Sequence, residues 1–348
     1  MTPTKVTFVL PCDGPSGGVR VTVEMAQRLM DRGHPVRVIY RSPPFSEALV
    51  ECARNALRWF QGSKDFNWVH RFRGPKRSFR DLSEVQFSKG EIVIAVGEHV
   101  ALDVYELRAE VVKVRYCHAI FDHVPELTRR AWSVSMPTLA VSASLVPQLE
   151  EFAGKKVLAV VPNGINRSEY YLENGTRDGL GLIFRRYPTK APEETLELIA
   201  QARSRFPEVP WHLFGTSRRP REFADLEYWQ YPSVEKAREI YNRCKIWLIT
   251  SRHEGFCLPV LEAMACGCAV ISSNHTAAPD LIEDGVNGFI VPFGNSEAFL
   301  EKIALLLRDE TKRQSIVQKG FETVSRFTWE QAVSRMEAVL EALAGGTV

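Results

Sequence analysis

The sequence predicts an α/β protein of two doubly wound parallel-sheet domains, and three observations predict it. The chain is 348 residues long, a length that favours two domains, each with its own core. Short apolar runs alternate with amphipathic stretches from the first residues onward, as parallel sheets covered by helices require. The alternation pauses at "NGINRSEYYLENGTRDG" (163–179), a stretch dense in turn formers, and then resumes.

The first half opens with the strand "KVTFVL" (5–10), the loop "PCDGPSGG" (11–18) and the helix "VRVTVEMAQRLMDRG" (19–33). In that helix Val23, Ala26, Leu29 and Met30 recur at helical spacing. "PVRVIY" (35–40) returns as a strand and completes a βαβ unit. "EIVIAVG" (91–97), "VVKVRYCH" (111–118), "TLAVS" (138–142) and "KVLAVVPNG" (156–164) supply the further strands of this half. Beyond the linker come strand "LGLIFRR" (180–186), helix "PEETLELIAQARSRF" (192–206), strand "WHLFG" (211–215) and helix "SVEKAREIYNRC" (233–244). Strand "IWLITS" (246–251), helix "CLPVLEAMACG" (257–267), strand "CAVISS" (268–273), "APDLIED" (278–284) and strand "GFIVP" (288–292) follow. In "FTWEQAVSRMEAVLEAL" (327–343), Trp329, Ala332, Val333, Met336, Val339, Leu340 and Leu343 form one apolar stripe, so this last helix must be buried against something.

Composition narrows the class. At 45% hydrophobic and 25% charged residues the chain is an ordinary soluble globular protein. No apolar run approaches the ~20 residues of a bilayer span, and "KVTFVL" is too short for the apolar region of a signal peptide. Seven cysteines without disulfide-framework spacing point to a reducing cytoplasm. "ACGC" (265–268) reads as small residues packing between helix and strand. Residues 1–160 carry 22 Lys/Arg against 17 Asp/Glu, and the rest 22 against 25. That mild asymmetry permits an anionic partner for the first half and does not demand one.

Candidate site residues gather at strand ends. Between Gly255 and Pro279 the sole Asp, Glu, Lys or Arg is Glu262; a buried charge without a partner is costly, so it has a partner or a task. "HEGFCL" (253–258) offers the backbone N–H groups of Gly255, Phe256, Cys257 and Leu258 at a helix N-terminus, a ready anion site. Glu262, about one turn in, leans back toward that end. Glu254 follows "IWLITS"; by itself it reads as an exposed loop acid. "LIFRRYPTKAPEETLELI" (182–199) puts Arg185 and Arg186 at a strand end and Lys190 before a helix, cations suited to a diphosphate. Strand alternation turns one of the two arginines away and leaves open which one. Gly17 and Gly18 in "GPSGG" would admit a close backbone approach, though a tight strand–helix turn gives the same sequence. The full GxGxxG spacing and a downstream acid are absent, which argues against NAD binding. His118 ends a strand, with His123 as the competing choice; a lone histidine is more often structural.

No Asp-x-Asp motif and no metal-ligand spacing occur, so no metal and no cofactor are expected. "FNWVHRFRGPKRSFRDL" (66–82) interleaves Arg71, Arg73, Lys76, Arg77 and Arg80 with aromatics. A solvated charged loop is the preferred reading, ahead of a patch for anionic membrane or a lipid-linked diphosphate. Nucleic-acid binding is not expected, because no RNP, helix-turn-helix or zinc pattern accompanies it.

"EGFCLPVLEAMACGCAVISS" (254–273) resembles the E-x7-E signature of the retaining glycosyltransferases of family 4, whose GT-B fold sets two Rossmann-like domains facing a central cleft. "PSGGVRVTVEMAQRLMDRGHPVRVI" is similar to that family's first loop and helix, "VPNGIN" to its crossover, and "DGVNGFIVP" to its late turn and strand. The terminal helix resembles the one that crosses back onto the first domain. The likeness is weak between about 41 and 110, where acceptor-facing loops would lie. It implies an N-terminal acceptor domain over 1–162 with helix 327–345 packed back on it, and a donor domain over 163–326. It further implies that Glu254 faces the donor sugar, that Glu262 binds the ribose, that Arg185 and Lys190 grip the diphosphate, and that His118 contacts the donor sugar. Phe184 and Ala191 stand where the family usually has glycines.

The resemblance therefore implies sugar transfer, with retention and without metal, from a nucleoside diphosphate-sugar to a glycan, lipid-linked or small-molecule acceptor. The expected location is the cytoplasm, with peripheral contact at the inner membrane face. The rivals are a non-catalytic GT-B subunit that scaffolds a glycosylation complex, and a sugar-nucleotide epimerase or phosphorylase of the same fold.

Overall fold

A computed structural model describes residues 3–14, 16–42, 67–120 and 126–346. The chain divides into two compact units: one reaches Gly164 and resumes at Trp329, and the other takes in Ile165–Thr328.

The first unit begins with β1 (Val6–Leu10), every residue of which is buried, the continuous apolar pattern of a parallel strand covered on both faces. α1 (Gly17–Asp31) and β2 (Val36–Arg41) complete the βαβ unit. The helix starts earlier than its apolar periodicity indicates. Ser16 is its N-cap and accepts from Val19 N at 3.1 Å, so Gly17 and Gly18 form the first turn and do not belong to the loop.

The basic stretch 66–82 differs more. The expected loop contains α2 (Trp68–Arg71) and β3 (Lys76–Phe79), which pairs in parallel with β2. β3 is an edge strand, and its exposed Lys76 and Arg77 charge that edge, a common guard against edge-to-edge pairing. The Trp68 ring lies under the guanidinium groups of Arg20 and Arg71, at 5.1 and 4.4 Å.

β4 (Ile92–Val96), α3 (Glu98–Glu106), β5 (Val112–Cys117), α4 (Glu126–Ser133), β6 (Thr138–Ala140), α5 (Val146–Ala153) and β7 (Ala159–Val160) follow. Among the described residues the sheet order is β3-β2-β1-β4-β5-β6-β7, all parallel. Inside it Arg115 is fully buried and donates to Thr138 Oγ1 and the Ala131 carbonyl, its guanidinium 4.7 Å from the Trp132 ring. Burial lowers its pKa to about 10.

The second unit runs β8 (Gly179–Phe184), α6 (Pro192–Arg205), β9 (Trp211–Gly215), β10 (Glu227–Gln230), α7 (Val234–Arg243) and β11 (Cys244–Ile249). Then come α8 (Leu258–Ala265), β12 (Ala269–Ser273), α9 (Ala278–Leu281), β13 (Phe289–Val291), α10 (Ser296–Arg308) and α11 (Glu310–Arg326). Its parallel sheet has the order β10-β9-β8-β11-β12-β13, the full doubly wound order. Leu180, Leu182, Phe184, Ile246, Leu248 and Ile271 form the centre of its core.

The last helix, α12 (Trp329–Ala344), belongs to the first unit and packs on α1. All seven stripe residues are buried, and Glu337 is buried with them. Its carboxylate takes Arg32 Nη1 at 2.5 Å and lies 3.4 Å from His34 Nε2. Among the described residues no helix is long and apolar enough to cross a membrane.

Candidate active site

In the second unit the strand order reverses between β8 and β11. The connections that leave the carboxyl ends of those two strands diverge there, which opens a crevice where doubly wound folds take ligands. Lys190 lies beyond β8 and Glu254 beyond β11.

After β8 the chain makes a short turn, Pro188–Lys190, and Ala191 follows at φ 49°. A left-handed backbone is costly for a residue with a Cβ, and it is here that the related pattern has glycine. The turn is tied to the loop after β11, because Arg252 N and His253 N both donate to the Thr189 carbonyl, at 2.9 and 3.2 Å. The two loops therefore hold their charges together. Lys190 Nζ lies 2.5 Å from Glu254 Oε1, and Ser251 Oγ donates to the same oxygen at 2.8 Å. Burial would raise the Glu254 pKa, but the charge of Lys190 above all, with the hydrogen bonds from Lys190 and Ser251, holds it below the ordinary carboxylate value.

Arg185 is half-buried, and its Nε is buried without a hydrogen-bond partner among the described residues. Arg186 is exposed and lies over the Phe184 ring at 5.6 Å. The two arginines thus differ in the sense that strand alternation requires.

Gly255, Phe256 and Cys257 are buried, and Phe256 meets the Phe327 ring edge-on at 5.7 Å. Cys257 caps α8 at φ 69°, a second non-glycine residue in the left-handed region. Leu258 opens the helix with Pro259 behind it, and Gly267 lies past its end at φ 80°. Glu262 is 5% exposed and accepts from the Tyr241 hydroxyl at 3.0 Å. Burial first, and the charge of Glu262 second, push the Tyr241 pKa well up, so the phenol keeps its proton and donates.

The "ACGC" thiols are inert by position. Burial raises both, Cys268 to about 12, and Cys268 donates to the Tyr241 carbonyl. Among the described residues no group of three or more His, Cys, Asp or Glu could hold a metal ion.

In the first unit His118 follows β5. A Cβ placed on Gly18 would lie 3.7 Å from its ring, and its Nε2 is 3.5 Å from Thr22 Oγ1. The Tyr116 ring is 4.4 Å away. Burial lowers the His118 pKa to about 3, which leaves the imidazole neutral at physiological pH. Gly17 is exposed, and a Cβ there would meet nothing within 4 Å. The competing His123 lies outside the described residues. Sequence reasoning missed Thr189, Tyr241 and Ser251, none of which left a signal.

Comparison with solved structures addresses the architecture. Anabaena HepE in complex with UDP-glucose superposes with a TM-score of 0.78 at 17% identity, covering 97% of this chain and 99% of that one. The fold is GT-B. Within this GT-B chain, residues 182–323 match the family model described as glycosyl transferases group 1. An uncharacterized glycosyltransferase of Methanocaldococcus jannaschii is 25% identical over 214 residues, 59% of each chain. A phosphatidyl-myo-inositol mannosyltransferase of Mycolicibacterium smegmatis is 22% identical over 97% of this GT-B chain and 92% of its own. Across the first curated relatives it matches, the chain spans between 24% and 59% of their length.

Proposed function

We propose that the protein is a glycosyltransferase that moves a sugar from a nucleoside diphosphate-sugar donor to a glycan, lipid-linked or small-molecule acceptor. On this reading it is a family 4 enzyme that acts with retention and without a metal ion. The observation that carries the reading is the Lys190–Glu254 pair, a cation and a carboxylate joined at 2.5 Å at the strand-order reversal of a parallel sheet.

The diphosphate then lies on the backbone N–H groups of Gly255, Phe256, Cys257 and Leu258, where the helix terminus favours an anion. Lys190 and Arg185 neutralise it, a role that metal ions fill in other phosphoryl sites. Arg185 is preferred to Arg186 because its Nε is buried and unpartnered. Glu254 hydrogen-bonds sugar hydroxyls and stabilises the positive charge that grows at the anomeric carbon as the bond to phosphate breaks. The leaving diphosphate departs and the acceptor attacks from one face, which retains configuration. Glu262 takes the ribose hydroxyls.

In the first unit the neutral His118 hydrogen-bonds a substrate hydroxyl, and Gly17 and Gly18 admit a close backbone approach. Neither glycine has a positive φ or a crowded Cβ, so the unliganded fold alone does not explain them.

A thermal-shift panel of UDP, GDP, dTDP and ADP is the test. One nucleotide should raise the melting temperature by mass action, and no shift with any of them would overturn the reading. Slow hydrolysis of the cognate donor separates an enzyme from a scaffold, and the anomeric configuration of the product decides retention. Activity should persist in EDTA; abolition with rescue by magnesium would refute metal independence.

A further inference from the structure

Two donors share one oxygen of the Glu254 carboxylate. Lys190 Nζ lies 2.5 Å from Oε1, and Ser251 Oγ donates to that same oxygen at 2.8 Å; among the described residues no donor takes Oε2. The two donors differ in kind. Lys190 is a cation on a flexible four-carbon stem, and on the functional reading a diphosphate competes for it. Ser251 is neutral, 7% exposed, and stands three residues before the carboxylate in the loop after β11.

A serine hydroxyl has one proton to give, and the fold fixes where this one goes. β11 and β12 pair in parallel register through Ile249 and Ser272, so the two chains leave the sheet side by side. At the end of β12, Ser273 Oγ donates to the Ser251 carbonyl at 2.5 Å and ties the loop to that strand. From the other side, Thr195 Oγ1 on α6 donates to the Ala191 carbonyl at 2.7 Å and lies 2.6 Å from Thr250 Oγ1. The Thr195 proton is already placed, so Thr250 is the donor of that pair. Thr195 and Ser273 are 1% and 0% exposed, too deep for water to take over these bonds. The backbone that carries Ser251 is thus held from α6 and from β12, and its hydroxyl meets Glu254 before any ligand arrives.

We propose that Ser251 is a positioning residue for Glu254: it keeps hold of Oε1 when a bound diphosphate draws Lys190 away, so that Oε2 stays presented to a hydroxyl of the donor sugar. Ser251 acts through the carboxylate and does not touch the sugar. Its bond favours the ionised form of Glu254, which accepts from hydroxyls, over the protonated form. A carboxylate released by Lys190 without this second donor would be free to turn about its last torsion, and the geometry at the anomeric carbon would be lost. The inference rests on the reading of Lys190 as a diphosphate-binding group and of Glu254 as a sugar-binding one.

The test has an unliganded arm and a liganded arm, both on the full chain. In protein with isotope-labelled glutamate, the Cδ resonance of Glu254 is assigned by its loss in Glu254→Gln. It is followed against pH in Lys190→Met, where loss of the neighbouring cation imitates a lysine drawn away and moves the titration up from its lowered folded position. Adding Ser251→Ala should raise the proton affinity of the carboxylate a further two- to tenfold or so, roughly the worth of one hydrogen bond. Ser251→Thr keeps a hydroxyl and should restore the level of Lys190→Met alone. A titration that Ser251→Ala does not move overturns the proposal, and so does a threonine variant that behaves as alanine does.

In the liganded arm, UDP, GDP, dTDP and ADP are titrated calorimetrically, and slow hydrolysis of the glucose- and mannose-linked forms of the nucleotide that binds is followed. Ser251→Ala should bind that nucleotide within about twofold of wild type, yet hydrolyse the linked sugar at least about tenfold more slowly. Equal rates in the two proteins, or losses of binding and rate that match, overturn the proposal. A wild type that binds none of the four nucleotides overturns the functional reading instead, and the carboxyl titration still decides whether Ser251 holds Glu254.

Discussion

The Tyr241 hydroxyl donates to Glu262 Oε2 at 3.0 Å, and this bond joins two residues that the sequence leaves unconnected. Tyr241 is fully buried against the rings of Tyr170, Phe214 and Trp247. The lone acid of α8 thus meets a donor on α7 that burial keeps protonated. Glu262→Ala should cost roughly 1–3 kcal/mol of stability, because it strands a buried hydroxyl. Glu262→Gln still offers an acceptor and should cost less. Urea unfolding measures both, and an alanine variant as stable as wild type would show that the bond contributes nothing.

Nucleotide binding makes a separate demand on the same residue. If Glu262 also holds the ribose, Glu262→Gln should weaken nucleoside diphosphate binding while leaving inorganic pyrophosphate binding unchanged. Equal loss for both probes would place the effect in the fold of α8.

Lys190 and Arg185 should behave in the opposite way. Lys190→Ala or Arg185→Ala should weaken binding of the diphosphate by roughly 1.5–3 kcal/mol, the scale of hydrogen bonds to charged groups, with little effect on the free nucleoside. Arg186→Ala should do less, since that side chain is exposed and stacked on Phe184. Isothermal titration decides, and greater damage from Arg186→Ala would reverse the assignment.

The Lys190–Glu254 pair also predicts a pH dependence. The Glu254 pKa is lowered in the folded protein, so its ionisation stabilises the fold above the ordinary carboxylate value of about 4.3. That contribution is lost as pH falls through the lower folded value. Lys190→Met should therefore be destabilising near pH 8 and approach wild type as the medium becomes acidic enough to protonate Glu254. A stability difference that is the same at both ends of the profile would mean that the lysine acts by packing alone.

How much of this was legible follows from what each feature looks like one residue at a time. β8, β11 and β12 are buried on both faces and announce themselves as apolar runs. β3 and β10 do not: "KRSF" and "EYWQ" are four-residue edge strands, and edges carry charge. The cap of α1 was hidden because its periodic face begins after the two glycines. At the candidate site, Glu254, Glu262 and Lys190 could be singled out by type and position, but not their partners. Lys190 and Glu254 are 64 residues apart, and Tyr241 and Glu262 are 21 apart. Ala191 and Cys257 adopt left-handed backbone without the glycine that would have marked it.

The final helix gives a test of architecture that is independent of the site. Glu337 is 3% exposed, yet its carboxylate is held by Arg32 at 2.5 Å and faces His34 at 3.4 Å, while Arg28 lies 5.5 Å over the Trp329 ring. Where the chain enters this helix, a Cβ on Gly164 would come 2.5 Å from Trp329 N, closer than real side-chain carbons approach backbone. Two variants follow. Gly164→Ala should destabilise the first unit because backbone must shift. Glu337→Ala should do so by roughly 1–3 kcal/mol, since Arg32 is partly exposed and can turn to water when its partner is removed. Hydrogen exchange on the full chain locates the damage. Faster exchange should appear in α1 and α12 and leave β8, β11 and β12 protected. Loss confined to residues 165–328 would mean that the helix belongs with the second sheet and that the apolar stripe is buried there.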